Sequence, residues 1–295
     1  MKYIINPTFD KTGAIFLCSK EIKENCEIAI FGVPFDGTTS FRPGARFGPA
    51  AIREVSVGIE SFCPQLKVDL EEINFSDFGS LEIPFGNPLP VINEVEKASK
   101  KFFSKGIKPL MIGGEHSITS GAVKAAVESY PNLILLQLDA HADLRNDWLG
   151  SKYNHACTMQ RCLDYVQSSK VYQIGIRSGT RQEFQEMENK KRLINHLKGQ
   201  PAYALDNILK ENLGTPIYLT VDLDWFDPSV LPGTGTPEPG GYYWEDFAAI
   251  IDVLKKHNII AADVVELAPQ LDTSSISSIF AAKVVRSLIM LLSQN

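Results

Sequence analysis

The chain has 295 residues, 44% of them hydrophobic and 22% charged, with a formal net charge of −6. That length suits one large α/β domain with a full core, and an acidic balance without any basic cluster argues against nucleic acid as a principal partner. The five cysteines (Cys18, Cys26, Cys63, Cys157, Cys162) are odd in number and form no Cys-x-x-Cys pair, which disfavours a disulfide framework and favours a reduced, cytoplasmic setting.

In chain order, residues 1–26 carry little pattern and read as a surface-wrapping arm. The first seven residues are too short an apolar stretch for a signal peptide. Residues 27–33 read as the first core strand. A long loop follows, rich in glycine and proline, and Pro49 opens a helix in its first turn. Gly44 and Gly48 in that loop are assigned to backbone geometry. Residues 68–75 read as a weaker strand, followed by a loop around Pro84, Pro88 and Pro90. Val91, Val95, Ala98 and Phe102 mark a helix ended by Lys105-Gly106.

Residues 107–112 form the next predicted strand, ending in Gly113-Gly-Glu-His-Ser117, with Ser117 or Thr119 as the cap of the helix after it. Residues 133–138 are nearly all apolar, as in a strand buried on both faces of a parallel sheet. Further strands are expected at 171–176, 216–221 and 259–265. Helical segments are expected at 181–198, 244–256 and, capped near Ser274, along the apolar positions Ile276 to Leu291. No run of 18 apolar residues occurs, since Lys283 and Arg286 interrupt the C-terminal one. Strand and helix alternate throughout. The expected fold is therefore α/β, a single domain over 1–295, with a mostly parallel central sheet covered by helices on both faces.

The chemistry gathers where such a fold places it, at strand C-termini. Four predicted strands end in polar residues: His116; Asp139, His141 and Asp143; Asp222 and Asp224; and Glu266. Period-two spacing puts Asp139, His141 and Asp143 on one side of an extended backbone. Two imidazoles and four carboxylates exceed the needs of one tetrahedral ion. If Asp139 and Asp222 bridge, two ions fit, an arrangement suited to attack by water. A donor set without thiolate favours Mn²⁺, with Zn²⁺, Fe²⁺ and Co²⁺ as alternatives. Each Asp taken singly is more often a cap or turn residue, but six donors at the ends of neighbouring strands are hard to explain that way.

Three segments together carry a resemblance: Gly113-Gly-Glu-His-Ser117, Asp139-Ala-His-Ala-Asp143, and Leu219-Thr-Val-Asp-Leu-Asp-Trp-Phe-Asp-Pro228 with the following 232–241. In order and spacing, from about Ile28 to Leu292, the chain resembles the ureohydrolase (arginase/agmatinase) family. The resemblance implies an arginase-like three-layer α/β fold and two Mn²⁺ per subunit. It also implies hydrolysis of a guanidinium to urea and an amine by a hydroxide between the ions. It implies a first ion on His116, Asp139, Asp143 and Asp222, and a second on His141, Asp139, Asp222 and Asp224. Asp143 would also accept the hydroxide's hydrogen bond. Glu266 would bind the guanidinium, and His155, in Tyr153-Asn-His-Ala156, would shuttle protons to the leaving amine. A homo-oligomer, trimer or hexamer, is also implied.

The segments Gly32-Val-Pro-Phe-Asp-Gly37, Arg42 to Pro49 and Gly175-Ile-Arg-Ser-Gly179 look like agmatinases, pointing to agmatine as substrate, putrescine as product and a role in polyamine biosynthesis. Arg145 stands where arginases have a carboxylate-binding asparagine, and Ala156 where many relatives have glycine. The alternatives are arginine, guanidinobutyrate or guanidinopropionate as substrate, and a catalytically silent metal-binding member. Completeness of the ligand set, Glu266 and His155 weighs against the silent form. Deacetylation on a related scaffold is disfavoured by the intact second ligand group. His196 and His257, in helical, lysine-rich surroundings, are expected at the surface. No membrane partner is expected.

Overall fold

A computed structural model describes residues 7–21, 25–194 and 201–294. Its strands are β1 (Phe9–Asp10), β2 (Ile28–Val33), β3 (Phe62–Cys63), β4 (Val68–Asp69), β5 (Phe75–Leu81), β6 (Lys108–Gly113), β7 (Ile134–Leu138), β8 (Val171–Ile174), β9 (Leu193–Ile194), β10 (Ile217–Asp222) and β11 (Ile259–Val265). The α-helices are α1 (Gly48–Ser56), α2 (Pro88–Phe103), α3 (Thr119–Ser129), α4 (Thr158–Cys162), α5 (Arg181–Asn189), α6 (Pro201–Lys210), α7 (Trp244–Leu254) and α8 (Ile276–Ser293). Nine strands form one sheet in the order β1-β5-β2-β6-β11-β10-β7-β8-β9, and only the β1–β5 pair is antiparallel.

The near-continuous apolar strands follow from burial on both faces. Ile28 and Ile30 of β2 enter the core beneath α1, α7 and α8, while Ala29, Phe31 and Val33 enter the core beneath α2 and α3. The same alternation divides Ile134, Leu136 and Leu138 from Leu135 in β7. Helix α8 is apolar and long enough to cross a membrane by length and composition, yet 72% of it lies inside the protein, packed on α1 and β11.

The register of the middle strands sets up the functional edge. Val221 of β10 pairs with Leu138 of β7, so Asp222 and Asp139 occupy adjacent next positions. Asp222 pairs with Val265 of β11, so Glu266 stands one step beyond. The four strands that end in polar residues are therefore consecutive neighbours, β6-β11-β10-β7.

Several expectations need correction. Residues 68–75 hold only a two-residue hairpin strand and a 3₁₀ turn; the sheet strand is β5, at Phe75–Leu81. Its polar sequence hid it, because Asp77 is buried against Arg53 of α1 rather than exposed. Residues 7–21 are more than an arm: β1 adds an edge strand and Phe16 is fully buried. The predicted helix at 181–198 ends at Asn189, and β9 follows it as an edge strand. Helix α6 had no counterpart in the sequence reading. Neither Ser117 nor Thr119 caps α3; the Ser117 hydroxyl donates to Glu115 instead. At α8 the cap falls near Ser274 as expected: the Ser274 hydroxyl accepts the Ile276 N–H, and Asp272 accepts the Ser277 N–H. His257 is buried, 5% exposed, because it follows α7 directly into the start of β11. His196 lies outside the described residues.

Arg53 bonds Asp77 through Nε (2.8 Å) and Nη2 (2.9 Å), and Asp77 also accepts the Phe16 N–H at 2.9 Å. One pair thus joins α1, β5 and the N-terminal segment. Breaking it leaves a buried guanidinium without a counter-charge. Asp77→Ala is expected to lower unfolding stability by about 3–5 kcal/mol, and the double change Arg53→Met/Asp77→Leu by less. Urea unfolding of the three proteins checks this.

Candidate active site

The C-terminal ends of β6, β11, β10 and β7 surround a cavity of about 240 Å³. Among its lining residues are His116, His141, Asp143, His155, Asp222, Asp224 and Glu266. Asp139 lies beneath them, fully buried. All the site residues expected from sequence therefore meet at one place.

His116 is the centre of one group. Its Nδ1 lies 3.0 Å from Asp139 Oδ2, 3.2 Å from Asp143 Oδ2 and 3.3 Å from Asp222 Oδ2. A second group forms about His141, whose Nδ1 is 2.9 Å from Asp224 Oδ2 and 3.7 Å from Asp139 Oδ1. Asp139 belongs to both. Asp222 contacts the second group through its Oδ1, which accepts the Asp224 N–H at 2.9 Å.

The route by which Asp143 arrives differs from the expected extended run. The strand stops at Leu138, and Asp143 has φ 53°, in the left-handed region that disfavours side chains. Glu266 is likewise left-handed, at φ 69°. Such strain persists only where surroundings enforce it, and both residues stand over the cavity. Gly114 is required nearby for a different reason: a Cβ there would lie 1.8 Å from the Phe35 carbonyl oxygen.

Hydrogen bonding fixes one proton of His116. The Thr220 hydroxyl donates to Asp263 Oδ1 (2.5 Å), so it receives the His116 Nε2–H at 2.9 Å. Tyr218 donates to the other Asp263 oxygen at 2.7 Å. A neutral His116, its one proton on Nε2, would turn the Nδ1 lone pair toward three carboxylates, and Nδ1 is buried without a hydrogen-bond partner. A lone pair facing three oxygens at that range is repulsive, so this nitrogen needs either a proton, which the carboxylates favour, or a metal cation between it and them. Asp139 is oriented in the same manner: Gln137 donates to it at 2.6 Å and is itself held by Gln173 at 2.7 Å.

The electrostatics give the same requirement. Burial, with Asp139 beside it, pushes Asp143 up to about 7. Burial and then Asp224 and Asp139 raise Asp222, and burial followed by Glu115 raises Glu266. Burial opposes protonation of His116 and His141, yet their carboxylate neighbours hold both above the usual imidazole range. Too much negative charge is buried here for these acids to ionise together without added cations. The donor set, oxygen and imidazole without thiolate, suits hard or borderline divalent metals. These residues fit a pair of such ions.

Glu266 is held by the backbone of a neighbouring strand end. Its Oε1 accepts the His116 N–H at 2.7 Å, which leaves Oε2 and one further lone pair of Oε1 for another partner, and the residue lines the cavity. Sequence also missed Thr220, Asp263, Gln137 and Arg177. Arg177 donates to the Asp224 carbonyl (2.7 Å) and the Glu238 carbonyl (2.9 Å), tying two loops of the rim. Arg42 ties another, to the carbonyls of Thr234 (2.7 Å) and Gly235 (3.1 Å). An isolated polar residue inside each of the apolar strands β10 and β11 was the available signal for Thr220 and Asp263.

A family-wide sequence comparison matches residues 26–291 to the arginase family. The chain is 35% identical over 281 residues to an agmatinase of Bacillus subtilis, spanning 95% of this chain and 96% of that protein. It is 38% identical over 252 residues to an N(1)-aminopropylagmatine ureohydrolase of Thermococcus kodakarensis, spanning 83% and 84% of the two chains. Among solved structures, the agmatine ureohydrolase of Thermoplasma volcanium superposes with a TM-score of 0.85 at 31% identity, covering 95% of this chain and 94% of that one. The protein belongs to the arginase family, and its fold is the arginase-like three-layer α/β sandwich. Within that family it is an agmatinase-type ureohydrolase.

His155 lines the same cavity as the carboxylates. Burial, the largest influence, lowers its pKa to about 4, with His141 and His116 adding to the effect and the bond to Thr38 and the charge of Asp224 opposing it. Because the folded value lies below that of an exposed histidine, the neutral ring favours folding above about pH 6.5, and this contribution is lost as pH falls toward 4. NMR titration of the free protein is expected to show His155 neutral from pH 8 to about pH 5, whereas an exposed histidine would be mostly protonated at the lower end.

Proposed function

We propose that this protein hydrolyses the guanidinium of agmatine to urea and putrescine, with two Mn²⁺ per subunit held by His116, Asp139, Asp143 and Asp222 and by His141, Asp139, Asp222 and Asp224. The observation that carries the reading is the orphaned His116 Nδ1 directed at three carboxylates, one of which also serves the His141 group. The bound pair of ions would supply an activated water at neutral pH. The agmatinase relatives support the choice of substrate.

The protein's own groups account for the rest. Glu266, at the cavity floor, pairs with the planar guanidinium, for which two parallel N–H donors match a carboxylate better than an ammonium does. The bond from the His116 N–H fixes the plane of that carboxylate. Asp143 accepts a hydrogen bond from the attacking water. His155, neutral at rest, takes a proton and passes it to the leaving nitrogen. The five cysteines are all free, in keeping with a cytoplasmic setting, and a homo-oligomer remains part of this reading.

One observation favours a second substrate class. Arg145 lines the cavity, stacks on Trp148 at 5.1 Å and has no carboxylate partner among the described residues. A guanidino acid would supply one. A screen of urea release from agmatine, arginine, guanidinobutyrate and guanidinopropionate separates the two: turnover of agmatine well above the acids supports the first reading, and the reverse order replaces it.

Two further outcomes are expected. Chelation should abolish urea release and added Mn²⁺ should restore it; full turnover by protein assayed as metal-free would remove the mechanism. Glu266→Gln keeps an oxygen for the His116 N–H but loses the charge, so it should retain two Mn²⁺ per subunit while agmatine hydrolysis drops by roughly 30- to several-thousand-fold. Metal content measured beside urea release decides. Loss of metal would make Glu266 a support for His116, and normal hydrolysis would place the substrate elsewhere.

A further inference from the structure

The loop between β2 and α1 passes over the cavity, and a set of hydrogen bonds ties it to the segment bearing His155. The buried carboxylate of Glu115 accepts the Thr38 N–H at 2.7 Å and also the Thr38 hydroxyl. Thr38 Oγ1 in turn accepts the His155 N–H at 3.1 Å. Two residues further along the loop, Ser40 Oγ lies 3.0 Å from His155 Nε2. The other ring nitrogen, Nδ1, is buried without a hydrogen-bond partner, and the ring meets Trp148 edge-on at 5.7 Å. Among the described residues, Ser40 is thus the polar partner of this ring.

The choice of a hydroxyl matters chemically. It can donate into a bare Nε2 or accept from an Nε2–H, so the contact survives when the ring gains or loses a proton. A carboxylate in its place would favour the charged ring, and a carbonyl would require Nε2–H permanently. Ser40 itself is exposed at the cavity rim and makes no other side-chain hydrogen bond among the described residues. The Glu115–Thr38 clasp holds the loop without it.

We propose that Ser40 is a positioning residue for His155, its hydroxyl holding the imidazole against the cavity in each protonation state while the Glu115–Thr38 clasp sets the loop. This rests on the reading of His155 as the proton carrier. In that reaction the water oxygen bonds the guanidinium carbon and the bond from that carbon to the alkyl nitrogen breaks. Both water protons finish on the leaving nitrogen, giving urea and an alkylammonium with charge conserved. His155 takes one of those protons and returns it, and the Ser40 hydroxyl stays hydrogen-bonded to Nε2 whether the ring is neutral or charged.

The test compares Ser40→Ala, Ser40→Thr, His155→Ala and the double change Ser40→Ala/His155→Ala in Mn²⁺-loaded enzyme, with agmatine as the probe. Urea release gives kcat and KM, and metal content and Tm serve as controls. Ser40→Ala should lower kcat roughly tenfold with KM little altered, the size expected from one lost hydrogen bond. Ser40→Thr, which restores the hydroxyl, should recover most of that loss. The double change should be no slower than His155→Ala alone, because the two act as one unit. If His155→Ala is slow but Ser40→Ala is normal, or if the two losses multiply, Ser40 does not act through His155. If His155→Ala turns over normally, the proton-carrier reading fails first, and that result is distinct from either of the others.

Discussion

Burial of like charge at the edge of a parallel sheet is the constraint on which this structure turns. Asp139, Asp143, Asp222, Asp224 and Glu266 are each at most 7% exposed, and they stand at the ends of three neighbouring strands. Isolated carboxylates in such a place would neutralise or destabilise the fold. Here the surroundings both tolerate and direct them. Backbone N–H groups of His116, Ala140, His141 and Asp224 each donate to one of the carboxylates, and the two imidazoles supply the nearest cationic capacity. What remains uncompensated is the demand for divalent cations.

That demand explains the layers of polar residues behind the site. Asp263, Tyr218 and Thr220 lie within the sheet where aliphatic residues would pack more simply, and their bonds converge on one nitrogen of His116. Gln137 and Gln173 do the same for Asp139 from the β7–β8 side. A buried polar network is costly unless every member is satisfied. Those costs are accepted here because outer partners decide whether a ligand presents a lone pair or a proton.

The rim is built differently, from loops held by side chains rather than by a ladder. Arg42, Arg177, Glu115 and Glu183 each bond backbone groups of segments remote in sequence. Loops fastened in this way place Ser40, Arg145, Trp148 and His155 about the cavity while leaving their side chains open to it. Such positions suit differences in substrate among enzymes that share the sheet-edge carboxylates.

Much of this was legible in the sequence, for a local physical reason. Strands buried on both faces must be continuously apolar, so β2, β6, β7, β10 and β11 announced themselves, and polar residues at or shortly after the ends of the last four marked the functional edge. The three motifs then named the family without any coordinates. Strand β5 was not legible, because Asp77 is made tolerable by Arg53, 24 residues earlier, and no local window contains both. Nor were the left-handed backbones of Asp143 and Glu266, the burial of His257, or the meeting of Ser40 with His155, 115 residues away. Periodicity reports which face of an element is buried. Which charge meets which, and which nitrogen keeps its proton, is decided by contacts between segments that only the folded chain brings together.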